Sequence, residues 1–143
     1  MKTVAIDFDG VIHKYRKGWQ DGSIYDELDT DVVKWMYDLM GKDYAIYIHT
    51  SRNPWQVAKK MREQYPYFGA MSYDLATGYD VSVVPFWAKF WNRNDCLGVS
   101  RRKLPAIVYI DDRAIRYNGI NSLNSALGLE KKATGDDVAP PNI

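Results

Sequence analysis

The chain has one cysteine, Cys96, so no internal disulfide framework can hold it together, and a single thiol fits a reducing compartment. It has almost no charge imbalance, with a formal net charge of +1, which gives no global pull toward nucleic acid or membrane. No apolar run approaches the roughly 20 residues of a membrane span, so no membrane partner is expected. The start MKTVAIDFDG lacks the charged and then long apolar pattern of a signal peptide, and the expected location is the cytoplasm. Internal repeats and low-complexity blocks are missing as well. What remains is 143 residues, nearly half apolar, enough for one domain with a proper core and no need of staples. The compositional excess is in tyrosine and tryptophan.

Apolar, β-rich runs read as three clear strands: Val4 to Phe8, Tyr44 to His49 and Ala106 to Ile110. Between the first two, residues 13–27 show two glycines, mixed charge and no helical period, which reads as an excursion or small hairpin over the strand end. A helix then opens at Asp29 to Asp31 and stops at Gly41. A second starts near Pro54, capped by Ser51 or Asn53, and runs to about Gln64. Residues 65–103 are the least legible, with PFWAKFWN the best candidate for helical turns. NSLNSAL (121–127) reads as a short helix before a loose tail over 129–143. Strands alternating with helices imply a parallel sheet covered on both faces, a doubly wound α/β domain whose sites lie at the carboxyl ends of strands.

Each clear strand ends on chemistry: Asp7 and Asp9 after the first, Thr50 and Ser51 after the second, Asp111 and Asp112 after the third. Four carboxylates on one edge repel one another unless a cation sits between them. Hard oxygen ligands without a histidine or cysteine cluster select magnesium over zinc. Magnesium, a hydroxyl pair beside a helix N-terminus and a lysine suit a phosphate. One carboxylate could attack phosphorus to form an aspartyl-phosphate, and the second could supply the leaving-group proton.

At this point the sequence resembles the haloacid dehalogenase-like phosphohydrolases. DFDGV (7–11) is similar to their DxDG[TV] motif, HTSR (49–52) to their second motif, and YIDDRA (109–114) to their acidic fourth. RRKLPAIVYIDDRAIRY looks most like small bacterial and phage members and the phosphatase half of polynucleotide kinases. The resemblance implies Asp7 as nucleophile and Asp9 as general acid. It implies Mg2+ held by Asp7, the Asp9 backbone carbonyl and Asp111, with Asp112 either a further ligand or one step outside the ligands, and with Thr50, Ser51, Gly10 and Arg52 at the substrate phosphate. Lys103 is favoured over Lys89 as the motif lysine. The match spans roughly residues 2–119 and is loose from Pro66 to Arg101.

Taken alone, a DxD is usually a solvated turn, and Asp111 with Asp112, or Thr50 with Ser51, could simply cap helices. The three together in family order favour the phosphate and magnesium reading. Arg52 and Arg113 read better as ion-pair partners that fix loops than as substrate ligands. His13 and His49 lack metal-ligand spacing, and Cys96 has no base nearby in sequence. Arg101, Arg102 and Lys103 with the aromatics could meet nucleic acid, although a solvated basic turn and an aromatic mini-core are the favoured readings.

With residues 12–27 and the aromatic segment as the only lid candidates, the site is expected to be open. It would then rely on a bulky substrate, a nucleotide or a 3′-phosphorylated nucleic-acid end, or on a second subunit of a homo-oligomer, to exclude water. The alternatives are a receiver-like signalling module phosphorylated on aspartate, whose order of acidic motifs differs, and a phosphate-binding fold without catalysis.

Overall fold

The computed structural model describes residues 1–65 and 80–129. Contacts gather into two compact units, residues 1–112 and 113–143. The first contains β1 (Lys2–Asp7), α1 (Thr30–Met40), β2 (Tyr44–His49), α2 (Pro54–Gln64), β3 (Asp80–Val83), β4 (Cys96–Ser100) and β5 (Val108–Ile110). The five strands form one sheet in the order β3-β4-β2-β1-β5, and every pairing is parallel. The second unit contributes α3 (Ile120–Ala126), close to the helix expected over 121–127.

Period-two alternation decides which face each side chain meets. Val4, Ile6, Ile46, Ile48, Val81, Leu97 and Val99 pack with Val33, Met36 and Met40 of α1 and Val57, Ala58 and Met61 of α2. On the opposite face Ala5, Ala45, Tyr47 and Cys96 pack with Val84, Trp91 and Leu104, which belong to the connections after β3 and β4. Crossover handedness accounts for the division. The steps β1 to β2 and β2 to β3 run one way along the sheet, whereas β3 to β4 and β4 to β5 run back, so right-handed connections must use opposite faces.

Helix ends follow their capping chemistry. Asp29 Oδ1 accepts from the N–H groups of Asp31 and Val32 at the start of α1. Asn53 Oδ1 accepts from Trp55 N–H at the start of α2, with Pro54 in the first turn. The excursion after β1 is hairpin-like at its base: Lys14 N–H donates to Glu27 O, and Asp29 N–H to Ile12 O.

One expectation for the aromatic region needs correction: PFWAKFWN forms no helix. Residues 80–83 and 96–100, inside the least legible stretch, are strands. The Pro85 and Ala88 carbonyls accept from the Arg102 guanidinium, and the side chain of Trp91 is buried against β4. That packing needs Gly98, where a Cβ would lie 2.8 Å from the Trp91 ring. Pro85 O also accepts from Ala88 N–H in a single tight turn, and with that turn and the Arg102 contacts the segment does not continue into a helix. The expectations placed on 66–79 and on the tail beyond Leu129 lie outside the described residues.

Candidate active site

β2, β1 and β5 are neighbours and parallel, so their carboxyl ends share one edge. The register pairs Asp7 with His49 and Ile6 with Ile110, which sets Asp111 level with Asp7 and brings Thr50 to the same edge. Oxygens of the Asp7, Asp111 and Asp112 carboxylates lie within 4.8 Å of one another. Burial, then the charge of Asp111, with smaller contributions from Asp9 and Asp112, push the Asp7 carboxyl from 3.8 up to about 6; the Phe8 backbone N–H opposes them. Three carboxylate donors around a space of this size fit a hard divalent ion such as Mg2+.

The turn after β1 is built around two constraints. Phe8 O receives the N–H groups of Val11, Ile12 and His13, which fixes the loop. Gly10 has φ of 91°, and a Cβ there would overlap the Asp112 carboxylate. Gly10→Ala is therefore expected to cost about 1–2 kcal/mol in backbone strain and to push Asp112 off the cluster. Thermal unfolding with and without Mg2+ checks this; an unchanged melting temperature together with an unchanged Mg2+ response would contradict it.

Thr50 is buried; its N–H donates to Ser100 O, and its Oγ1 accepts from Arg52 N–H at 3.0 Å. The hydroxyl proton remains to be donated to a ligand oxygen. Ser51 beside it is exposed.

Asp9 is engaged differently from the other three acids. Arg52 Nε donates to both its oxygens, at 3.0 and 2.8 Å, and His13 Nδ1 lies 2.8 Å from Oδ1. Asp26 N–H donates to His13 Nε2, so the ring proton sits on Nδ1 and is donated to Asp9. Arg52 is fully buried; its Nη1 donates to Gly22 O, and its guanidinium carbon lies 4.6 Å from the centre of the Trp19 ring. Its Nη2 has no partner among the described residues. Arg52 thus ties β2's loop to Asp9 and to the excursion, as an ion-pair partner should.

Lys103 and Lys89 are both exposed. The Lys103 ammonium sits 4.4 Å from the Tyr109 ring centre. Tyr109 precedes Asp111 by two positions, so strand alternation puts Lys103 on the face that Asp7 and Asp111 share. Lys89 lies on the aromatic connection after β3. His49 Nε2 meets Arg101 O, a bridge between the ends of β2 and β4.

Sequence reasoning missed His13, read there as a loop residue. The available signal was its position four residues after Asp9 in a turn closed by glycine. Trp19, half exposed over Arg52, left no such signal. No family model matches this chain, and no curated protein or solved structure matches it.

Proposed function

We propose that the chain is a Mg2+-dependent phosphomonoester hydrolase of the haloacid dehalogenase-like type, with a doubly wound core. The observation that carries the reading is the meeting of Asp7, Asp111 and Asp112 within 4.8 Å, on the edge that also receives Thr50. Asp7, whose carboxyl burial and the neighbouring acids push up to about 6, is the one that the motif resemblance makes the nucleophile.

Asp7, Asp111 and Asp112 would hold Mg2+, which when bound supplies positive charge to both the carboxylates and the phosphate oxygens. The Thr50 hydroxyl and Lys103 hold the phosphate. An oxygen of Asp7 attacks phosphorus in line, the ester oxygen leaves with a proton from Asp9, and an aspartyl-phosphate forms. Water then cleaves it, giving its proton back to Asp9. Arg52 and His13 orient Asp9 for both transfers. The test is phosphate release from p-nitrophenyl phosphate and from alkyl phosphates, with Mg2+ and with chelator. Mg2+-dependent turnover is expected. Asp9→Asn should lose most on the alkyl esters, whose leaving groups need the proton; equal losses on both classes would remove that role.

One observation favours a second reading. Arg52 Nε occupies both Asp9 oxygens, an arrangement that would suit a receiver-like module that is phosphorylated and turns over slowly. A durable acyl-phosphate on Asp7 without hydrolysis of any phosphoester would select it.

A further inference from the structure

The connection between β3 and β4 exposes large aromatic side chains instead of burying them. Phe86 is 87% exposed, Trp87 71% and Phe90 59%, and among these neighbours Trp91 alone joins the core. The aromatic mini-core expected from the sequence accounts for that one ring. Trp87, Lys89, Phe90 and Arg93 help line a cavity of about 490 Å³. The segment is braced, because both terminal nitrogens of Arg102 donate to its carbonyls, at Ala88 and Pro85.

Its surroundings are cationic. Between Pro85 and Lys103 lie Lys89, Arg93, Arg101, Arg102 and Lys103 against one acid, Asp95, which pairs with Arg93. The position matters as much as the charge. Trp91 and Val84 pack on the face that carries Ala5 and Tyr47, and alternation puts Asp7 and Asp111 on that same face. Thr3 Oγ1 of β1 donates to Trp91 O at 2.6 Å, so the end of the segment lies over the amino end of β1, about 13 Å along the strand from Asp7 at the usual rise of about 3.3 Å per residue.

We propose that Pro85–Arg93 is a stacking platform for unpaired bases of single-stranded nucleic acid, holding a strand whose terminal phosphate reaches Asp7. Exposed flat rings with cations between them suit this partner, because every base offers a π-face and every linkage an anion. An apolar protein partner would leave Lys89 and Arg102 without a counter-charge. The assignment of the phosphate to Asp7 rests on the phosphatase reading, whereas binding to the platform does not.

The test uses the full chain with Asp7→Asn, so that nothing is consumed, and a fluorescent oligothymidylate bearing a 3′ or a 5′ phosphate. Trp87→Ala combined with Phe90→Ala should weaken binding at least tenfold while leaving the melting temperature unchanged, since both rings are exposed. Lys89→Ala should weaken it less and flatten the salt dependence. In the active protein the double variant should raise KM for the phosphorylated oligonucleotide and leave turnover of p-nitrophenyl phosphate unaltered. Wild type that binds no oligonucleotide, or a double variant that binds it equally well, would overturn the platform. Platform-dependent binding in a protein that hydrolyses no phosphoester would keep it and remove the phosphatase instead.

Discussion

Asp7→Asn is expected to abolish phosphate release while making the ion-free protein more stable at neutral pH. The substitution removes the attacking oxygen's charge and almost no volume, and loss of a nucleophile costs roughly 10³-fold or more in turnover. The stability gain follows from the raised pKa. A carboxyl at about 6 in the fold and at 3.8 ordinarily is held there against burial and three neighbouring acids. Stability is highest while Asp7 is protonated and is lost as pH rises through the window from about 4 to about 6. The full shift corresponds to about 3 kcal/mol, and solvent screening of this half-buried group reduces it to about 1–2 kcal/mol. Asparagine carries no charge and escapes that loss. Mg2+ should narrow the difference by stabilising the wild type more. Urea unfolding of both proteins at about pH 7, with chelator and with Mg2+, reads the effect. Equal stability in chelator, or unchanged turnover in the variant, would contradict the assignment.

Arg52→Ala should be the most destabilising single change in the first unit. The side chain is fully buried, it grips Asp9 through Nε, and it donates to Gly22 O while lying under Trp19. Its removal leaves the Asp9 charge facing a cavity, and breaking a buried pair on one side costs about 3–5 kcal/mol. The excursion over 14–27 loses its tether as well, so protease cleavage there should speed up. Arg52→Lys should recover part of the stability, because it restores charge without the two-oxygen geometry. A loss below about 1 kcal/mol in Arg52→Ala would show that the pair contributes little.

The legible parts of the sequence were those where local pattern and tertiary demand agree. β1 and β2 are buried on both faces and read as continuous apolar runs, and α1 and α2 announce themselves through Asp29, Asn53 and Pro54. β3 and β4 did not. β4, CLGVS, is fully buried, yet it contains a glycine, which counts against a strand until Trp91 is seen lying on it. The aromatic run after β3 misled for a related reason: its spacing suits a helix, while its carbonyls are claimed by an arginine that follows β4. In the site, Asp7, Asp111, Asp112 and Thr50 were reachable because strand ends are visible in sequence. The duties of Asp9 were only half visible: His13 lies four residues on, but Arg52 comes from the loop after β2, and no spacing rule joins it to Asp9.

The central claim is that residues distant in the chain form one divalent-ion site around Asp7. Its most direct measurement is the titration of the Asp7 carboxyl by 13C NMR, first in chelator and then with saturating Mg2+. The account predicts a midpoint near 6 without the ion, falling below the ordinary carboxylate value when Mg2+ is added. A midpoint near 3.8 that Mg2+ does not move would contradict it.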